Sequence, residues 1–167
     1  MKNFLKKHKS DLYNILLTLS RNIFFYKRVG LSDKFETRIY LMFIHFSIFL
    51  IISKKKEIKF NQKEYDYLFN YIEYDLRELG FGDVAVNKKM KDLNKIFYDI
   101  LLKLDLTKND DKKISINEDL LNKYFTSLKD AKNINLVYLN DYFSGFFYYC
   151  FDLTFDKMVE ESINFKY

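Results

Sequence analysis

The feature that most constrains this chain is a run of fourteen residues, Ile39–Ile52, reading IYLMFIHFSIFLII. As a helix it is apolar on every side, so it must lie either inside a protein core or inside a bilayer. A helix that crosses a bilayer needs about 20 apolar residues, and this run is shorter and carries His45 at its middle. The sequence therefore predicts a buried helix through the centre of a helical bundle.

The segments around it read as the helices that cover it. Over 9–27, Leu12, Ile15, Leu16, Leu19, Ile23 and Tyr26 recur at helical spacing. Lys27 and Arg28 suit the negative pole of that helix, and Gly30 suits its close. Asp33 and Glu36 have the form of a capping box, which starts the second, central helix at Ser32 or Asp33 and ends it in water at Lys54-Lys55-Lys56. A looser cap at Asn61-Gln62-Lys63-Glu64 opens the next helix, with Tyr65, Leu68, Phe69, Ile72, Leu76 and Leu79 on one face. Tyr67, Tyr71 and Tyr74 form a second stripe beside them. Met90, Leu93, Phe97, Leu101 and Leu104 mark a helix ending near Asp105, followed by a polar linker over 106–114. The pattern S-x-x-E at Ser115–Glu118 begins a helix to about Leu128, and Lys129–Asn133 makes a further turn. Leu136 to Cys150 continue a long apolar helix, and Phe155–Ile163 form a short last one. There is no proline, no internal repeat and no sustained alternation of strand type. The expected fold is all-α: one domain over 1–167, a compact bundle of six or seven helices around the hydrophobic second helix.

One break in the helical pattern is specified closely. Between Tyr74 and Leu93 the chain places Gly80 and Gly82, two of its four glycines, after a last turn filled by Asp75, Arg77 and Glu78. Carboxylates at a helix C-terminus oppose its dipole, so a cation should sit near them, and Arg38 is the candidate. The next helix starts at Asp83 or at Asn87. With Asn87 as cap, Lys88 and Lys89 stand in the first turn, where positive charge is disfavoured and an anionic partner would offset it. With Asp83 as cap the anomaly disappears.

Enzyme templates fail in turn: there is no G-x-S-x-G, no phosphate-binding G-x-x-x-x-G-K-[ST], no H-E-x-x-H and no cysteine pair. His45 has no ligand-type residue at metal spacing, and the other histidine, His8, lies in the N-terminal stretch, so no metal and no cofactor is expected. Cys150, between Tyr149 and Phe151, reads as a buried thiol, and a single cysteine fits a reducing compartment. The net charge of +5 is uneven: residues 1–60 hold 13 Lys/Arg against 4 Asp/Glu. A basic first third suits lipid head groups or RNA. With 24 Lys to 4 Arg, sequence-specific nucleic-acid reading is disfavoured. Asp11, Asn14 and Ser20 interrupt the apolar run of the basic N-terminus, so no signal peptide is expected there, while an amphipathic targeting or membrane-surface helix stays open.

Two separated motifs then carry a resemblance. The run Val29-Gly30-Leu31-Ser32-Asp33-Lys34-Phe35-Glu36-Thr37-Arg38, followed by His45, is similar to the G-x-x-D-x-F-D-G-R and LH elements of the ubiquinol–cytochrome c chaperone family. Asp75-Leu76-Arg77-Glu78-Leu79-Gly80-Phe81-Gly82-Asp83 and the following Asn87-Lys88-Lys89-Met90-Lys91 resemble its D-x-x-L-R-E-x-G-x-G-D and lysine elements. Ser32, Thr37 and Asn87 depart from the pattern, and the charged set stays intact. The resemblance covers about residues 10–105; the helices over 115–163 match only in character.

The resemblance implies a non-catalytic chaperone that binds newly made cytochrome b and supports assembly of complex III. It implies a place in the cytoplasm against the inner membrane of a bacterium, or the matrix side in a mitochondrion, with the ribosome or a second assembly factor as further partners. On this basis Asp33, Arg38, His45, Asp75, Arg77, Glu78, Gly80, Gly82 and Asp83 are expected to form one polar network tying the second helix to the glycine turn. Lys88, Lys89 and Lys91 would face the partner. Two other readings stay open: a carrier holding a quinone or lipid tail among Phe46, Phe49, Tyr71 and Phe147, and a basic binder of the ribosome surface.

Overall fold

The computed structural model describes residues 11–104, 116–129 and 133–167. Among these are eight α-helices: α1 (Asp11–Ser20), α2 (Ile23–Lys27), α3 (Phe35–Lys55), α4 (Gln62–Glu78), α5 (Asp83–Lys103), α6 (Glu118–Tyr124), α7 (Asn133–Asp152) and α8 (Phe155–Glu161). Single 3-10 turns follow α6, at Thr126–Leu128, and α8, at Ser162–Asn164. The all-α expectation holds.

The helix anticipated over 9–27 is two. Asn22 interrupts it by accepting a hydrogen bond from the Phe24 amide at 3.0 Å, which caps α2 and lets the chain turn after Ser20. Gly30 closes the element with φ at +79°, as its place after Lys27 and Arg28 suggested. The capping box expected at Asp33 does not form. Lys34 stands at the N-cap of α3 without a side-chain cap, because Arg38 engages the Asp33 carboxylate instead. At α6 the cap is Asn117, whose side chain accepts from the Asp119 amide at 2.8 Å. Ser115, Asp105 and the linker between them lie outside the described residues.

α3 is the centre of the fold. It runs 21 residues and meets α1, α5, α7 and α8. By length and composition it is the one helix among the described residues that could cross a membrane, but most of it is buried inside this bundle. Phe43 and Phe46 both meet Phe97 of α5, at ring-centroid distances of 5.3 and 5.5 Å, and Phe49 meets Phe146 of α7 at 5.8 Å. Burial of such side chains contributes about 1.5–3 kcal/mol each to the favourable side of folding. The rings considered for a quinone or lipid carrier are used in this packing: Tyr71 lies 5.1 Å from Tyr13, and Phe147 lies 5.6 Å from Phe151. Lys54 and Lys55 at the end of α3 are exposed as expected, and two of the three closing lysines also meet aromatic rings. Lys55 sits over the Phe147 ring and Lys56 over Phe151, with Lys56 Nζ donating to the Leu153 carbonyl at 2.8 Å.

His45 is fully buried in the wall between α3 and α7. Its Nδ1 bonds the Leu41 carbonyl at 2.7 Å and its Nε2 lies 3.1 Å from the Tyr142 hydroxyl. An imidazole that donates to a carbonyl and accepts from a phenol is neutral. Burial pulls its pKa down from 6.5 to about 4. Cys150 is buried as expected, and burial pushes its thiol up to about 12.

Candidate functional site

The α4–α5 corner is built by the sequence LGFGD. Gly80 takes φ of +94°, the Gly80 amide donates to the Arg77 carbonyl at 3.0 Å, and the Phe81 amide donates to the Leu76 carbonyl at 3.3 Å. These paired bonds close α4 with a left-handed residue, a conformation in which a Cβ is disfavoured. Gly82 has a different role. It is the N-cap of α5 with φ of −74° and open space where a Cβ would lie, so the backbone there does not demand glycine. Because α5 begins at Asp83, Lys88 and Lys89 fall in its second turn, and the charge anomaly considered for an Asn87 cap is absent.

Arg77 staples the corner. Its guanidinium contacts Asp83 at the start of α5 and Glu73 one turn back on α4, the latter at 2.9 Å. Each charge also complements its helix pole, the cation in the last turn of α4 and the anion in the first turn of α5. Outside this staple the corner is apolar and exposed: Leu79 is 58% and Val84 86% accessible, with Phe81 beside them. Lys89 lies over the Phe81 ring at 4.6 Å, which covers one face of that ring. Lys88 and Lys91 are exposed and form no ion pair with another described residue. An open groove of about 440 Å³ lies between the start of α3, the end of α4 and α5, with Phe35, Leu76, Phe81, Lys89 and Ile96 among its walls.

The remaining residues singled out from the sequence do not join the corner in one network. Arg38 pairs with Asp33, five residues away, through contacts of 2.6 and 2.9 Å at the surface, and does not reach the carboxylates that end α4. The group beside Asp75 is a phenol: the buried Tyr13 hydroxyl of α1 donates to the Asp75 carboxylate. Desolvation and that carboxylate together push the Tyr13 pKa up. Glu78 is exposed and forms no ion pair among the described residues. The set thus divides into a surface pair at the start of α3, a buried histidine, a tyrosine–aspartate bond from α1 to α4, and the Arg77 staple.

The comparison with known proteins decides the lineage of this arrangement. Residues 27–135 match the ubiquinol-cytochrome C chaperone family. The chain belongs to that family. No curated protein and no solved structure matches it. As a member of the ubiquinol-cytochrome C chaperone family, this chain carries the whole corner inside the matched span, together with α3 and α6. The match begins later than the resemblance over 10–105 and extends further, past the polar linker.

One residue of that span escaped the sequence reading. Asp99 of α5 accepts from Lys123 of α6 at 2.7 Å, pairs with Lys103 at 2.6 Å, and takes a hydrogen bond from the Tyr124 hydroxyl. These donors hold its carboxyl well below the usual range. Asp99 joins the helices on the two sides of the linker. The spacing Asp99–Lys103 was visible in the sequence, but nothing there pointed across to Lys123 and Tyr124. Among the described residues no cluster of His, Cys, Asp and Glu could hold a metal.

Proposed function

We propose that this family member is a non-catalytic assembly chaperone whose client is newly made cytochrome b, and that the α4–α5 corner is where the client docks. The observation that carries the reading is the union of Leu79, Phe81 and Val84, exposed on a stapled turn, with the exposed ammonium groups of Lys88 and Lys91, which form no ion pair among the described residues. Large exposed apolar side chains beside unpaired charges suit a partner with both an apolar helix and anionic groups. A membrane subunit awaiting assembly offers apolar helices, and the surrounding bilayer surface offers anionic head groups. The chaperone would work at the inner membrane, on its cytoplasmic or matrix side, through such peripheral contact.

Deleting the gene is expected to deplete mature cytochrome b while other respiratory complexes accumulate normally. Replacing Lys88, Lys89 and Lys91 by Glu should reproduce that loss in a protein whose melting temperature is unchanged. A deletion strain with normal cytochrome b would end the proposal.

A further inference from the structure

At the opposite end of α4 from the glycine corner lies a second groove, of about 730 Å³, between α1, the start of α4 and α8. Its floor is apolar, with Ile15, Val159 and Ile163, and Ile163 is 47% exposed. Its rim is acidic. Asp11 of α1 and Asp156 and Glu160 of α8 all line it, and all three are exposed without an ion-pair partner among the described residues. No described lysine or arginine lines it, on a chain whose net charge is +5.

A stripe of tyrosines starts on α4 at the groove's edge. Glu64, at that edge, is followed by Tyr67, Tyr71 and Tyr74 at steps of three and four residues, which puts all four on one helical face. Tyr67 and Tyr74 are 45% and 59% exposed. The 17 residues of α4 span about 25 Å, close to the thickness of a bilayer's hydrocarbon core, about 30 Å. Helices of membrane proteins characteristically end in lysines and arginines on the side that faces the cytoplasm or matrix.

We infer that the acidic groove receives a lysine- or arginine-rich segment flanking an apolar membrane helix of the client, while that helix lies along the tyrosine stripe toward the corner. The inference rests on the client proposed above being a membrane protein, and it adds a second, oppositely charged docking site. The groove's carboxylates offset the segment's cations, and its floor takes the first apolar side chains beyond them.

The test uses the purified full chain and a fluorescent peptide of eight Leu/Ala residues followed by Lys-Arg-Lys-Lys, with a control ending in four glutamates. The basic peptide should bind with an affinity that falls as salt rises, and the acidic control should not. Asp11→Asn, Asp156→Asn and Glu160→Gln together should weaken binding about tenfold. Thr18→Glu, which adds a carboxylate at the groove wall, should tighten it. Equal binding by the triple variant, or by the acidic control, would overturn the inference. Tighter binding by a Lys6→Gln, Lys7→Gln variant would assign the groove to the chain's own basic residues 1–10 and also overturn it. So would a dimer of the wild type that the triple substitution dissolves, which would assign the groove to a second copy. Because binding is read in vitro, a deletion strain with normal cytochrome b would end the proposed function and leave this result standing, while unchanged peptide binding would end the groove and leave the function.

Discussion

Arg77 and Asp83 face each other across the glycine corner, the last turn of α4 bonded to the first residue of α5. Six residues apart in sequence, they set the angle between the two helices that present Leu79, Val84 and the lysines. The pair is at the surface, where ion pairs add little to global stability. Its consequence is local. Arg77→Ala should leave the melting temperature nearly unchanged and speed hydrogen exchange of the amides from Phe81 to Val86. Unchanged exchange there would show that the Gly80 cap alone holds the corner.

The two corner glycines should respond differently to substitution. Gly80→Ala forces a Cβ onto a left-handed residue and should destabilise by about 1 kcal/mol. Gly82→Ser adds a preferred N-cap side chain where there is open space, and should be neutral or gain a few tenths of a kcal/mol. Urea titrations of the two variants compare them directly.

Glu57 holds φ at +57°, the one non-glycine residue with a positive φ among those described, just past the end of α3. The Ile58 amide returns to the Ser53 carbonyl at 2.9 Å, so Glu57 occupies the position where helices favour glycine. Glu57→Gly should therefore stabilise the protein by about 1 kcal/mol, read as a higher urea midpoint.

His45 makes stability depend on pH. Its folded pKa, about 4, lies below the unfolded value of 6.5. Above pH 6.5 the imidazole is neutral in both states and costs nothing. As pH falls from 6.5 toward 4, the unfolded chain gains a proton that the folded chain refuses, and stability drops by up to about 3 kcal/mol. A His45→Gln variant should lose this slope between pH 6.5 and 4.5. A slope that persists would place the titrating group elsewhere.

The helices were legible from spacing alone, and α3 above all, because an all-apolar run with one histidine leaves few other places for it. The break at Asn22 was not, since Leu19, Ile23 and Tyr26 keep helical spacing across it and only a side-chain cap reveals the turn. At the site, the corner could be read because glycine at Gly80 has a backbone reason. The partner of Asp75 could not. Charge complementarity suggested Arg38, but a buried phenol 62 positions from Asp75 supplies a hydrogen bond that no local pattern encodes.

The most direct test of the account places a photocrosslinking amino acid at Val84 on the corner, and at Val137, which is exposed on α7 and lines neither groove, in cells that synthesise cytochrome b. The account expects a cytochrome b adduct from position 84 that disappears when Lys88 and Lys91 are replaced by Glu, and none from position 137. Equal adducts from both positions, or none from 84 in cells that still accumulate cytochrome b, would contradict it.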